Sequence, residues 1–401
     1  MQLFQSFPFL SCIEPELIGA TFPKTLLAGT FANQLYTMPE PLKNVYDALF
    51  LKRFASLAAV IPGFSPNGFQ ADVFDNTWHN LELKQRMRRL SSVLHSHLPG
   101  DYPAKVSSIL RIISLLEERG ENGGFAYMFL PDFIEQYGLN DPNTSLEAME
   151  RITQFASCEF AIRPFLVAYP EKVMAQMLAW SRHPHASVRR FASEGCRPRL
   201  PWAVAIPSLK KDPSPILPIL ENLKKDESLF VRRSVANNLN DIAKDHPGVV
   251  TSLVKTWKDT GPETDWVIRH GCRSLLKKAN AAAYALFGLE EAADCRISDL
   301  SLSQRQVKIG GRLQFSFALK TGPVPRKIRL EYAVYYVKAN GKQSRKIFQL
   351  IEKMFQPAQA HVITKEQRFQ DFTTRKHYPG EHKLAIVLNG QEVASSHFLL
   401  Q

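Results

Sequence analysis

Read for the spacing of apolar and polar positions, the chain divides in two near residue 295. From Pro41 to about Leu98 apolar residues recur at helical intervals, Val45, Leu49, Phe54, Leu57 and Val60 among them, and LELKQRMRRLSSVLHSHL carries a second such phase. Short Pro and Gly breaks separate these segments. The texture continues through KVSSILRIISLLEE and SLEAMERITQFASCEFAIRPFLVAYPEKVMAQMLAWSRHP, and no period-two run appears before residue 297. From Ile297 the period is two: Leu313, Phe315, Phe317 and Leu319 alternate with polar residues, as do Ile328, Leu330, Tyr332, Val334 and Tyr336, which is strand patterning. Asn340-Gly341 and Asn389-Gly390 each sit between strand-like runs and predict type I′ hairpin turns.

Internal similarity fixes the architecture of the helical part. PHASVRRFASEG, ESLFVRRSVANNL and ETDWVIRHGCRSL are three versions of one unit, with Arg190, Arg233 and Arg269 in register at spacings of 43 and 36 residues. Arg163 in FAIRPFL is an earlier member, 27 residues before Arg190. Spacing near forty with paired helices is a HEAT-type signature, in which stacked helix pairs bury a shared core and the second helices line a concave wall. The expected fold is an all-α HEAT-like repeat solenoid over residues 38–294, followed over 295–401 by an all-β immunoglobulin-like sandwich of seven or so strands. Residues 1–37, whose first basic residue is Lys24, lack helical patterning and are expected to be an unstructured or non-native extension; Glu14 and Glu16 interrupt their apolar run, which argues against a signal peptide.

Charge adds a partner. Of the formal net charge of +12, residues 296–401 carry 18 Lys and Arg against 7 Asp and Glu, and 182–278 carry 18 against 10. Two patches of one sign predict a polyanion, with the recurring Arg forming a column on the wall. Five scattered cysteines with no CxxC pair predict neither a disulfide framework nor a zinc site, and fit a reducing cytoplasm. No apolar run is long enough to span a membrane. There is no GxSxG, HExxH, Walker or GxGxxG motif, so no metal and no cofactor is expected.

Glu159, Glu194 and Asp241 stand out as carboxylates on or beside the Arg-bearing helices, and Trp202 follows Glu194 by eight residues. On a wall meant for phosphates a carboxylate repels the ligand, so it needs a purpose, and chemistry is one. Taken singly, each carboxylate is better explained by a structural ladder or a helix cap, with Asp241 pairing Arg269 or Arg233, and Trp202 by core packing. His270 in WVIRHGC reads as packed or phosphate-facing rather than as a base.

The segments PEPLKNVYDALFLKRFASLA, YMFLPDFIEQYGL, ASVRRFASEGCRPRLPW, VRRSVANNLNDIAKDHP and DWVIRHGCRSLLKKA resemble the AlkC branch of the DNA alkylation repair glycosylases, HEAT-like relatives of AlkD, over roughly residues 38–290. The tail resembles the immunoglobulin-like domain of one subgroup. The resemblance implies a monofunctional glycosylase that removes cationic alkylated bases, 3-methyladenine and 3-methylcytosine, from duplex DNA without base flipping. It implies Glu159, Glu194 and Asp241 as active-site carboxylates and Trp202 as their aromatic neighbour. Arg163, Arg190, Arg233, Arg269 and His270 would face DNA, and the loop KANGKQSRK, with Lys342, Arg345 and Lys346, would grip the duplex. A monomeric bacterial cytoplasmic protein, nucleoid-associated when bound to DNA, is the matching expectation. The rivals are a non-catalytic HEAT scaffold for DNA or protein, and an RNA-directed binder.

Overall fold

The computed structural model describes residues 41–372 and 375–401. The expectation for 1–37 lies outside the described residues. Among those described, sixteen α-helices precede eight strands. The first six helices are α1 (Ala48–Ala58), α2 (Pro66–Val73), α3 (Leu83–His97), α4 (Tyr102–Glu118), α5 (Phe129–Tyr137) and α6 (Pro142–Ile152). The repeats that match the sequence units follow: α7 (Ile162–Ala168), α8 (Pro170–Trp180), α9 (Ala186–Gly195), α10 (Pro207–Lys211), α11 (Leu217–Leu223) and α12 (Leu229–Asp245). Last come α13 (Pro247–Trp257), α14 (Pro262–Gly271), α15 (Arg273–Lys277) and α16 (Ala281–Leu286).

Helix starts obey local chemistry. Asp47, Ser65, Asp101 and Asp141 accept from the backbone N–H of Phe50, Gly68, Ala104 and Thr144 and so satisfy donors that the first turn leaves open. The apolar phase of α1 departs from expectation. Phe50, Leu51, Phe54, Ala55, Leu57 and Ala58 are buried, whereas Leu49 and Val60 face solvent. Ring packing of Phe50 and Phe54 on Phe129 decides which stripe turns inward.

The repeat register holds at atomic level. Arg189 Nη1 donates to the carbonyls of His183 and Pro184, and Arg232 Nη1, 43 residues on, donates to those of Asp226 and Glu227. The two helices thus begin on the same arginine clamp, which makes Arg190 and Arg233 equivalent. Helix α9 packs along α12, α8 on α9 and α11 on α12, the stacking of second helices that a solenoid requires. Arg189 also ties the repeats together by a bidentate bond to Asp226, at 2.6 and 3.1 Å.

The strands are β1 (Arg296–Leu302), β2 (Gln306–Val307), β3 (Arg312–Lys320), β4 (Arg326–Val337), β5 (Gln343–Phe355), β6 (Ala360–Arg368), β7 (Gly380–Leu388) and β8 (Gln391–Leu400). They form sheets of order β1-β3-β6 and β2-β8-β7-β4-β5, antiparallel except for the β2–β8 pair. Leu313, Phe315, Phe317 and Leu319 of one sheet meet Ile328, Leu330, Tyr332 and Val334 of the other in one core. Strand β4 is buried on its second face too, where Arg329 pairs with Glu331 at 2.5 Å and Ala333 packs with Ala385 and Val387. Asn389 and Gly390 both have positive φ, as a two-residue I′ turn demands. At the other predicted turn only Gly341 does, and Lys338 N–H donates to Lys342 O, so β4 and β5 are joined by a longer loop rather than a I′ turn.

Compactness divides the chain into one unit that contains 41–245 and 259–270 and another that contains 246–258 and 271–401. Among the described residues no helix is long and apolar enough to cross a membrane.

Candidate active site

The three singled-out carboxylates, up to 82 positions apart in sequence, are linked by two arginines into one chain of charges. Glu159 precedes α7 and accepts from Ser157 Oγ and, at 2.5 Å, from Arg190 Nη1 of α9. Arg190 Nη2 lies 3.8 Å from Glu194, one turn on in the same helix. Glu194 accepts from Arg197 Nη1 at 2.6 Å and from Ser234 Oγ of α12 at 2.6 Å. Arg197 then turns its Nε and Nη2 to Asp241 Oδ2, both at 2.8 Å, and Lys244 Nζ caps Oδ1 at 2.8 Å. Asp241 therefore pairs with Arg197 and Lys244, not with the Arg269 or Arg233 of the ladder expectation.

The network is graded in exposure, with Glu159 15% exposed at its side chain, Glu194 7% and Asp241 2%. Burial alone would push the Glu194 carboxyl up; the Arg197 and Arg190 charges and the bonds from Ser234 and Arg197 outweigh it and hold the group below the usual carboxylate range. Burial likewise works against the Arg190 and Arg197 cations, and their carboxylate partners more than restore them. The arrangement is thus three fixed anions and three fixed cations. Nearby Cys196 is pushed up to about 12 by burial and is no nucleophile at neutral pH.

Arg163 corrects the sequence reading. Its guanidinium is buried and donates Nε and Nη2 to Val204 O and Nη1 to the carbonyls of Gly195 and Arg197, so it faces the protein backbone rather than DNA. Burial pushes it down to about 10. The loop it holds carries Trp202, which is 41% exposed and not core. Trp202, Phe160, Met87 and Val167, with Lys84, Arg88, Asp132 and Glu135, line a cleft of about 460 Å³. The Arg190 guanidinium also stacks on Phe230, 4.7 Å from its ring centre.

Arg233 is exposed on α12; Arg269 and His270 are half-buried on α14, where His270 stacks on Trp266 at 5.1 Å. In the sandwich Lys342 is exposed, Arg345 pairs with Glu392 at 2.9 Å, and Lys346 lies 5.3 Å over Phe348. Sequence reasoning missed Arg197, Lys244, Ser157 and Ser234. Arg197 and Lys244 each stand three positions after a singled-out carboxylate, a spacing that places them within reach. Among the described residues no group of three or more His, Cys, Asp or Glu is arranged to hold a metal ion.

Known proteins resemble the chain over both its helical and its β regions. The family model described as "DNA alkylation repair enzyme" matches residues 146–275, which hold every member of the network. That described as the C-terminal Ig-like domain of uncharacterised protein YhaZ matches 296–401. The uncharacterized protein YhaZ of Bacillus subtilis is 43% identical over 87% of this chain and 96% of its own length. The Pseudomonas fluorescens alkylpurine DNA glycosylase AlkC, solved bound to DNA containing an abasic site analog, is 39% identical over 90% of this chain and 99% of its own, with a TM-score of 0.86. The chain belongs to the DNA alkylation repair enzyme family. Within that family its AlkC-like fold combines the helical solenoid with the Ig-like domain.

Proposed function

We propose that the protein is a monofunctional DNA glycosylase that hydrolyses the N-glycosidic bond of cationic N-alkylated bases, 3-methyladenine and 3-methylcytosine among them, in duplex DNA. The observation that carries the reading is the junction of Glu159, Glu194 and Asp241 through Arg190 and Arg197, within a chain 39% identical to an enzyme named for that chemistry. A base alkylated on a ring nitrogen is already positive and leaves as a neutral molecule, so no general acid is needed. Positive charge moves from base to sugar as the bond lengthens, and preorganised carboxylates favour that movement. Glu159, the most open of the three, relieves the attacking water of its proton, and Glu194 and Asp241 supply the field around the sugar carbon. Trp202 packs on the deoxyribose or the cationic base, a contact of about 1–2 kcal/mol if desolvated.

Recognition through the sugar and backbone, without flipping, suits a site set on a wall rather than in an enclosed pocket. Arg233, Arg269 and His270 meet phosphates there, and the basic sandwich grips the duplex through Lys342 and Lys346. The rival reading, a scaffold, draws on the pairing of every carboxylate in the network. Mass identification of bases released from methylated duplex by the wild type and by Asp241→Asn decides between them. Release of 3-methylpurine by the first and not the second supports the enzyme; no release by either leaves a scaffold.

A further inference from the structure

Trp202 adopts φ +66°, the left-handed region that a bulky residue enters only at a steric cost. Such a conformation persists where its surroundings over-determine it. Two cations from other helices provide that restraint. Arg163 of α7 brackets the loop at both ends, reaching Gly195 O at 3.1 Å and Arg197 O at 2.7 Å on one side and Val204 O at 2.8 and 2.5 Å on the other. Lys84 of α3 donates its Nζ to the carbonyl of Trp202 itself while lying 5.4 Å over the Phe160 ring. Arg163 is 3% exposed, so it offers no face to a phosphate.

We infer that Arg163 and Lys84 are positioning residues for base excision, which fix the 195–206 loop so that the Trp202 indole stands out at the cleft while the Arg197 guanidinium meets Glu194 and Asp241. The inference rests on the glycosylase reading for what the loop serves. The two ends of the loop carry different parts of the site, and Arg163 is bonded to both. Letting the loop relax would withdraw Trp202 toward an ordinary backbone conformation and slacken Arg197 between its carboxylates. Such a shift lowers the rate of the chemical step rather than affinity for undamaged duplex.

The test uses the full chain in a Trp266→Phe background. Trp78, Trp180 and Trp257 are at most 4% exposed, so acrylamide quenching of the remaining tryptophan emission then reports chiefly on Trp202. Lys84→Met removes one bond at an exposed position. It is expected to change the quenching of Trp202, leave the thermal midpoint unaltered, and lower kcat for release of methylated base by about 10-fold with KM little changed. Glycine adopts this φ without cost, so in a Trp202→Gly background the same Lys84→Met should produce no further loss of rate. Arg163→Gln should alter both readouts more strongly, and where that variant does not fold the Lys84 arm decides. Unchanged quenching overturns the inference. So does a Lys84→Met effect that raises KM and flattens the salt dependence equally in both backgrounds, the mark of a direct phosphate contact. Should the parent protein release no base, the glycosylase reading fails, while the quenching result still decides whether the strap holds Trp202.

Discussion

Asp241→Asn keeps the shape of the side chain and removes one negative charge from the most buried part of the network. Arg197 Nε and Nη2 converge on Oδ2, and Lys244 Nζ faces Oδ1. An amide must turn its NH₂ toward one of these cations, so one donor-to-donor contact replaces an ion pair. Breaking a buried pair costs about 3–5 kcal/mol, and the lower end applies here because Lys244 is 38% exposed and can swing into water. The effect on chemistry is separate. Removing one preorganised electrostatic contribution to a developing charge costs about 3–4 kcal/mol of barrier, roughly 100- to 1000-fold in rate. Single-turnover release of base from methylated duplex, followed by mass at a temperature where both proteins remain folded, measures that loss. Affinity for abasic duplex should stay level or rise, since the protein loses one negative charge and DNA is a polyanion. Ser234→Ala is the matching control: it deletes the 2.6 Å bond to Glu194, costs stability of about 1–3 kcal/mol, and alters no charge. A folded Asp241→Asn protein with wild-type turnover, or one no slower than Ser234→Ala, refutes the electrostatic role.

Three further outcomes test the fold. Gly390→Ala places a Cβ 2.7 Å from that of Ala279 and 3.2 Å from the Tyr284 ring at φ +86°, so chemical denaturation should show a loss of about 1–3 kcal/mol. Burial pushes His377 below its ordinary 6.5, against the pull of Asp371, so the folded state prefers the neutral ring. Its contribution to stability is therefore present above pH 6.5 and lost as pH falls through the folded value, with His382 acting in the same sense. In His377→Gln the fall in unfolding midpoint below pH 6.5 should be shallower than in the wild type; an identical pH profile contradicts the assignment. Deleting 296–401 strips Ala292 and Cys295 of the core they share with the strands, and removes Gly390 from against Tyr284. Limited proteolysis should accordingly cut the truncated chain within 281–295, and resistance there would show that the segment folds without the sandwich.

The two architectures were legible because each depends on local periodicity. A stripe at helical spacing and an alternating strand must bury themselves whatever lies elsewhere, and Arg189 and Arg232 repeat one clamp at one spacing. What periodicity leaves open is the choice between neighbouring faces. Leu49 and Phe50 are equally apolar, and the second turns inward onto the rings of Tyr46, Tyr127 and Phe129. Among the site residues, Glu159, Glu194 and Asp241 could be singled out one by one, but the hub that joins two of them could not, because Arg197 meets Asp241 across 44 residues. Arg163 shared the register of the wall yet lies buried, since the carbonyls of the 195–206 loop fold over it. The left-handed backbone of Trp202 carries no local signal at all; it is imposed by Lys84 and Arg163 from two other helices.

The pH dependence of turnover bears on which bases the site can release. Excision of a neutral base needs a general acid that still holds its proton near neutrality. Glu194 is unsuited to that task, since Arg197 and Arg190 overcome its burial and keep the carboxyl below the ordinary range. The carboxyls shifted the other way are Asp132 and Glu135, raised first of all by burial, and both line the cleft beside Trp202. Arg88 lies 3.1 Å from the first and 3.0 Å from the second, which favours their anionic forms without undoing that rise. With a permanently cationic lesion neither proton is called upon, and the rate depends only on the network carboxylates staying ionised. Turnover on 3-methyladenine duplex is therefore expected to be level from about pH 6 to 8, a window in which the Glu194 carboxyl, held below the ordinary range, stays ionised. A neutral lesion such as hypoxanthine should be released at least ~100-fold more slowly, the scale of a missing acid. If the rate instead declines as pH rises through that window, and Glu135→Gln removes the decline, a proton from the cleft takes part in the reaction. Neutral bases would then be substrates, and the chemistry would belong to the Trp202 cleft rather than to the anions beneath the wall.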